Sequence, residues 1–179
     1  GDHRDLHLSL RRQRQMCIRD RAKNLLSIDV GRCCDIAVAG AGGVPTDTNF
    51  IQAHKAIEHA AHCVRDGGVL VCLAECSNGI GSSTFLKWFD LGGSAEVAHK
   101  LKRLYEINGH TALSLIKKTE RIEIVLVSSL PNETVERMGL VPAATIQDAL
   151  EIAQRRIGTD GLVYVFPSAW GILPVVSNG

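Results

Sequence analysis

The sequence has no apolar run long enough to cross a bilayer. Its longest purely apolar runs, such as residues 69–74, fall far below the roughly 20 residues that a transmembrane helix needs. No apolar segment of the signal-peptide type follows the N-terminus, so we expect no signal peptide, no membrane partner and a cytoplasmic location.

Ligand-spaced cysteines and nucleotide-binding fingerprints are also lacking. The six cysteines form no CxxC pair and no zinc-type quartet, so we expect free thiols and no metal site in this chain. The sequence contains neither a Walker A pattern ending in GKS or GKT nor a GxGxxG pattern. Residues 11–21 contain five arginines, whose summed positive charge exceeds the net charge of +1 of the whole chain. The rest of the chain is therefore slightly acidic and gives no nucleic-acid signature.

The first 28 residues differ from the rest of the chain. Residues 9–21 read SLRRQRQMCIRDR, without a helical or strand period that would bury one face. This segment resembles the translated sequencing-adapter read-through found at the ends of some gene assemblies. We therefore predict a non-native or disordered extension over residues 1–28 and one folded domain over residues 29–179. The alternative is a basic arm that binds nucleic acid.

Short apolar runs alternate with helical segments through the rest of the chain. The runs cover residues 36–39, 69–74, 122–128 and 162–166, and the main helical segments cover residues 49–65, 95–105, 111–119 and 146–156. This alternation predicts a single α/β domain, with a mostly parallel sheet of about four strands and helices on both faces. The strand-to-helix loops then meet at one sheet edge, where such folds bind ligands.

The loop after the first strand is rich in glycine. Gly42 and Gly43 favour irregular backbone, and Thr46, Asp47 and Thr48 offer side-chain oxygens of the kind that cap a helix. A strand, a glycine-rich loop and a helix N-terminus in this order predict an anion site made of free backbone N–H groups.

Two polar residues follow this loop in the first turns of the predicted helix. Lys55 adds a full positive charge to the partial charge of the helix end, and Gln52 can donate or accept a hydrogen bond beside it. The pair suits a carboxylate or a phosphate. His59 and His62 share this polar side, and we expect a solvent-exposed face there rather than a metal pair, since no third ligand lies nearby.

A second candidate segment, residues 75–81, follows the second strand. Glu75 and Cys76 could act as a base or a nucleophile, but Cys76 has no evident basic partner, so we expect the segment mainly to shape the pocket. His110 begins a later helix, and two positions are open to it: pointing into a cleft, or packing against Tyr105.

The runs AGGVPTDTNFIQAHKAIEHA and VRDGGVLVCLAECSNGIGSSTFLKWF resemble the C-terminal domain of the nickel-dependent lactate racemase family. The similarity continues through GHTALSLIKK, IEIVLVSSLP and VYVFPSAWGILPVV, and covers about residues 25–179. The resemblance implies an N-terminal domain that carries a nickel-pincer nucleotide and paired catalytic histidines. It also implies a C-terminal domain that closes over a small 2-hydroxy acid and contacts it through a Q-x-x-K pair, here Gln52 and Lys55.

The pocket implied by this resemblance departs from the lactate enzyme at two positions. Ile51 stands where that enzyme has an aromatic residue, and His110 where it has a tryptophan, so we expect another 2-hydroxy acid as substrate. The expected substrate-binding or pocket-lining residues are Gly42, Gly43, Asp47, Ile51, Glu75, Cys76 and His110.

Nothing in the sequence matches the family's N-terminal domain. We therefore expect a fragment that binds no cofactor by itself and is inactive without that domain. One alternative is a stand-alone binding module for a small carboxylate or phosphate. A weaker one is a thiol-dependent enzyme that uses Cys76.

Overall fold

The strands of the domain lie in two parallel sheets. The computed structural model describes Arg21 and residues 25–177, so Cys17 and most of the predicted extension lie outside the described residues. The strands are β1 Ser27–Asp29, β2 Cys34–Gly40, β3 Val64–Leu73, β4 Glu123–Val127, β5 Val141–Ala143, β6 Val163–Phe166 and β7 Leu173–Val175. The central sheet has the order β5-β4-β3-β2-β6, and β1 pairs with β7 in a separate two-stranded sheet.

Helices connect the strands of the central sheet. They are α1 Phe50–Ala60, α2 Ser94–Arg103, α3 Gly109–Thr119, α4 Asn132–Arg137 and α5 Ile146–Ile157, with 3₁₀ helices at Ala61–Cys63, Leu86–Leu91 and Ala169–Gly171. No helix in the described part of the chain is both long enough and apolar enough to cross a membrane.

Alternate residues of each strand face opposite sides of the sheet and enter two separate cores. On β3, Leu70 and Cys72 pack into the larger core with α1 and α3, whereas Val69 and Val71 pack into the smaller core under α5. The central strands are thus buried on both faces, which explains their continuous apolar runs. The predicted parallel α/β fold with helices on both faces is confirmed.

Five strands form the central sheet, where about four were predicted. The additional strand, β5, has three residues, contains Pro142 and pairs only with β4 at the edge of the sheet. A three-residue edge strand has no apolar run to mark it, and an edge position tolerates proline.

The end of the first helix and the start of β3 also differ from the prediction. The sequence predicts a helix over residues 49–65, but α1 ends at Ala60 and β3 begins at Val64. The pairing of β2 with β3 shifts register at the start of both strands: Cys34 lies opposite Val64, but Ile36 lies opposite Val69. The glycines of this segment therefore belong to an irregular strand.

Candidate functional site

The glycine-rich loop lies at the carboxyl edge of the sheet, between β2 and α1. Thr46 Oγ1 donates to the carbonyl oxygens of Ala41 at 2.6 Å and Gly43 at 2.7 Å, which closes the loop on itself. Gly42 has a φ of +93°, and a Cβ there would lie 2.9 Å from Thr46 Oγ1 and 3.0 Å from Ser168 Oγ. A side chain is excluded at this position by both backbone conformation and space.

The N-terminus of α1 is capped by Asn49. The Asn49 side chain accepts from the Gln52 N–H at 3.1 Å, whereas Thr46, Asp47 and Thr48, the predicted capping residues, lie in the preceding loop. The N–H groups of Phe50 and Ile51 donate to the carbonyl oxygens of Gly79 and Ile80 at 3.0 and 3.1 Å.

The protein itself therefore uses the donors at the start of α1. The Ala53 N–H donates to the Asn49 carbonyl oxygen at 3.0 Å, which completes the first turn. The segment 75–81 packs closely enough that a Cβ on Gly81 would lie 2.5 Å from Asn49 Cγ. The N–H groups in the first turn of α1 are therefore not free for an anion, because the protein's own oxygens already accept from them. An anion site on the N–H groups of the glycine-rich loop itself stays a prediction.

Lys55 and Gln52 lie together on the polar side of α1, as predicted from their spacing. Lys55 Nζ donates to Gln52 Oε1 at 2.9 Å and lies 5.1 Å from the centre of the Trp170 ring. The Lys55 side chain is exposed, and Trp170 is 38% exposed. A cation over the face of an indole is a favourable contact, so the amine is held between an amide oxygen and an aromatic face.

Trp170 is a residue of this group that no sequence pattern marks. It lies in the 3₁₀ helix after β6, in a loop predicted to reach the same sheet edge. His59 Nδ1 forms a hydrogen bond with the Ala169 carbonyl oxygen at 2.9 Å and thereby ties α1 to this 3₁₀ helix. His59 is thus a packing contact on a face that was predicted to be solvent-exposed, whereas His62 is exposed.

Two carboxylates lie in a cavity at the ends of β3 and β4. The cavity has a volume of about 410 Å³ and is lined by Asp47, Leu73, Ala74, Glu75, Val127, Ser128, Ser129 and Ala144. Asp47 Oδ2 accepts from the Glu75 N–H at 3.2 Å, and the Ser129 hydroxyl donates to Glu75 Oε1. Of the predicted site residues, Asp47 and Glu75 line this acidic cavity, whereas Gln52 and Lys55 lie together on α1.

Cys76 is buried against the acidic cavity and is not available as a nucleophile. It is 2% exposed and has a φ of +54°. Burial, together with the nearby carboxylates of Asp47 and Glu75, raises the pKa of the Cys76 thiol to about 12. Because a nucleophilic cysteine needs its thiolate, the structure argues against a thiol-dependent enzyme that uses Cys76.

Two further predicted pocket residues have well-defined contacts. The His110 ring lies 5.5 Å from the Tyr105 ring, which is the packing arrangement left open by the sequence. Ile51 is half-buried and packs against the larger core. Neither contact tests a role in binding a ligand, so both assignments stay predictions.

A buried polar cluster connects α1 to α3 behind the site. His54 is 5% exposed, and its Nε2 lies 3.9 Å from Glu58 Oε2 without a hydrogen-bond partner among the described residues. Burial lowers the pKa of His54 to about 4, although the Glu58 carboxylate opposes this shift. Burial alone would raise the pKa of Glu58, but hydrogen bonds from Lys118 and Ser114, both at 2.7 Å, outweigh it and hold that pKa below its usual value.

We expect His54 to make the folded state sensitive to mild acid. The unfolded chain binds the proton with the ordinary histidine pKa of 6.5, whereas the folded chain binds it only near pH 4. Stability is therefore full above pH 6.5 and falls as the pH drops toward 4. Urea unfolding should show about 2 kcal/mol less stability at pH 5 than at pH 7 from this residue.

The matched variants for this prediction are His54→Leu and His110→Leu. The first should remove the loss between pH 7 and pH 5, because it removes the group that is buried neutral. His110→Leu, at an exposed histidine, should still lose stability between pH 7 and pH 5. An unchanged pH dependence in His54→Leu would contradict the assignment.

The parallel sheet, with its loops and polar side chains gathered at one edge, defines a domain of the open α/β class, in which ligands bind at this edge. The model of the family described as "Lactate racemase C-terminal domain" matches residues 30–174, and the chain belongs to this family. The predicted family is thereby confirmed.

Two curated relatives agree with this assignment. The chain is 28% identical over 147 residues to a lactate racemase from Thermoanaerobacterium thermosaccharolyticum, and 29% identical over 146 residues to one from Lactiplantibacillus plantarum. Each match covers 78% of this chain and 34% of the relative, so the chain spans about a third of the relatives' length.

The fold is shared with two solved structures. A lactate racemase apoprotein from T. thermosaccharolyticum superposes with a TM-score of 0.79 at 24% identity, over 87% of this chain and 39% of that one. A protein from Thermotoga maritima superposes with a TM-score of 0.59 at 16% identity, over 94% of this chain and 42% of that one.

Proposed function

We propose that this chain is the substrate-binding domain of a nickel-pincer-dependent 2-hydroxyacid racemase or epimerase. In this proposal Lys55 binds the carboxylate or hydroxyl of the substrate, and Gln52 is its hydrogen-bond partner. The observation that carries the proposal is the exposed Lys55 amine, held 2.9 Å from Gln52 Oε1 at the ligand edge of a domain of the lactate racemase family.

The geometry gives each side chain a distinct task. Gln52 uses its oxygen to accept from Lys55, so its NH₂ group is available to donate to a substrate oxygen. The Trp170 ring limits the positions that the Lys55 amine can take and shields one side of it from water. An amine held in this way pairs with an anionic oxygen at a smaller loss of side-chain entropy.

The cofactor would belong to a separate N-terminal domain of the same enzyme. When bound there, it would supply the hydride chemistry at the substrate α-carbon. Within Arg21 and residues 25–177, no group of three or more His, Cys, Asp or Glu side chains is placed to hold a metal ion, so these residues provide no nickel ligand set. The proposal gives this chain the binding and orientation of the substrate, in the cytoplasm, and no activity of its own.

A chimera tests the proposed function. Residues 30–174 would replace the matching domain of the T. thermosaccharolyticum lactate racemase. The chimera, with the nickel-pincer nucleotide bound in its N-terminal domain, would be assayed with a panel of small 2-hydroxy acids. We expect racemisation of at least one of them, and none with this chain alone. Two results together would favour the stand-alone binding module instead: tight binding of a carboxylate or phosphate by this chain alone, and a chimera without activity.

Replacing Trp170 with leucine should weaken substrate binding moderately. A cation–π contact at a partly exposed site contributes about 0.5–1 kcal/mol, so we expect KM in the chimera to rise about twofold to fivefold with little change in kcat. Trp170→Phe should recover most of the loss, because it restores an aromatic face. A Trp170→Leu variant with an unchanged KM would show that the ring does not position Lys55.

A further inference from the structure

The acidic cavity at the ends of β3 and β4 contains a buried oxygen without a partner. Asp47 lines this cavity and is 7% exposed, and its Oδ1 accepts no hydrogen bond from the described residues. Its other oxygen, Oδ2, is used by the Glu75 N–H. An ionised oxygen that is buried without a partner is costly, so this geometry calls for a donor or a cation from outside the chain.

The charge of the cavity selects the kind of ligand. Its lining residues in the described part of the chain include two carboxylates, Asp47 and Glu75, and no lysine, arginine or histidine. A carboxylate or phosphate ligand would be repelled here, whereas a cation would be attracted. The cavity therefore differs in function from the Lys55 group, which suits an anion.

The chemistry of the lining narrows the choice of cation. Besides the two carboxylates, the polar side chains are the hydroxyls of Ser128 and Ser129, so every side-chain donor atom is a hard oxygen. The Ser129 hydroxyl donates to Glu75 and fixes one carboxylate oxygen in place. Oxygen ligands favour magnesium, calcium or manganese over zinc or copper, and magnesium often binds through one or two carboxylates while keeping several waters.

We propose that this cavity binds a partly hydrated divalent cation of the magnesium or manganese type, with Asp47 and Glu75 as its protein ligands. Since Arg21 and residues 25–177 offer no cluster of three or more His, Cys, Asp or Glu for a metal, water completes the coordination. The cation neutralises the orphaned oxygen of Asp47 and links the glycine-rich loop to the segment after β3. This proposal does not depend on the substrate assigned to Lys55.

The test is a titration of the 179-residue chain with Mn²⁺, followed by electron paramagnetic resonance and by broadening of backbone amide NMR signals. We expect one saturable site that Mg²⁺ displaces, with broadening centred on Glu75 and Ser129. Asp47→Asn and Glu75→Gln should each weaken Mn²⁺ binding about tenfold or more, because each removes one of two ligand charges. Glu151→Gln, at an exposed carboxylate of α5 outside the cavity, should bind like the unchanged chain.

Other outcomes would overturn the proposal. One is the absence of saturable binding up to about 10 mM Mn²⁺, a concentration beyond the weakest range of protein calcium sites. The others are signal broadening confined to His59 and His62, and unchanged Mn²⁺ affinity in both cavity variants. Binding of guanidinium without Mn²⁺ would show that the cavity prefers an organic cation. Circular dichroism separates a folded Asp47→Asn from an unfolded one, and the exposed Glu75 provides the second variant if Asp47 proves essential for folding.

Discussion

Replacing Lys55 with alanine in the chimera should lower kcat/KM by roughly 30-fold to 1,000-fold. Removing one partner of an enclosed, hydrogen-bonded charge pair costs about 2–4 kcal/mol, and each 1.36 kcal/mol is a factor of ten. The amine is exposed in this domain, so the larger value requires that domain closure removes it from water. Racemisation rates measured over a range of substrate concentrations give kcat/KM directly.

The control for this variant is Lys102→Ala. Lys102 is an exposed lysine near the end of α2 and has no place in the proposed site, so its replacement should leave kcat/KM unchanged. Gln52→Ala should have an intermediate effect, because it removes a neutral hydrogen-bond partner and releases the Lys55 side chain. Equal kcat/KM values for Lys55→Ala and Lys102→Ala would remove Lys55 from the site.

Replacing Phe50 with alanine should destabilise the domain by about 3–5 kcal/mol. Phe50 is the first residue of α1, is 0% exposed, and lies 5.9 Å from the ring of Phe85. Removing it leaves a cavity between α1 and the segment 85–91, at the end of the helix that carries Gln52 and Lys55. Domains of this size are commonly stable by about 5–15 kcal/mol, so a loss of this size is easily measured by urea unfolding.

Phe50→Leu and Tyr105→Ala are the comparisons for the Phe50 variant. Leucine fills most of the space and should cost well under half as much as alanine. Tyr105 is a large aromatic residue that is 70% exposed, and its loss should change stability by about 0.5 kcal/mol or less. A loss below about 1.5 kcal/mol for Phe50→Ala would mean that the core around α1 collapses to fill the space.

The fold was predictable where the local pattern is decisive. The apolar runs located β2, β3, β4 and β6, four of the five strands of the central sheet. The inner strands β2, β3 and β4 are buried on both faces, whereas β6 is an edge strand that exposes Val163 and Val165. Thr145 and Asp148 have the sequence spacing of a capping box and form one at the start of α5, with Thr145 Oγ1 accepting from the Asp148 N–H at 3.1 Å. The edge strand β5 and the irregular start of β3 depend on backbone pairing between distant segments, which no local pattern encodes.

The site was predictable only in part. The spacing of Gln52 and Lys55 places both side chains on one side of any helix, and the structure brings them together at 2.9 Å. The contact of Lys55 with Trp170 and that of His59 with Ala169 join segments more than a hundred residues apart. Such contacts follow from the position of β6 beside β2, which requires the sheet order and not only the strands.

The start of α1 shows most clearly what the sequence could not reveal. A glycine-rich loop before a helix is compatible with two outcomes: donors open to a ligand, or donors taken by another loop. Here the carbonyl oxygens of Gly79 and Ile80 take the donors of Phe50 and Ile51. Which outcome occurs depends on where the segment after β3 packs, and a one-dimensional pattern does not contain that information.

Because the donors at the start of α1 are engaged, anion recognition in the proposed site depends on the Lys55 side chain. The attraction rests on one primary amine at the end of a flexible side chain and not on rigid peptide groups. Acylation of the Lys55 amine would remove this positive charge in one chemical step. Raised ionic strength would weaken the attraction as well, because mobile ions screen an exposed charge over about 8 Å at physiological salt.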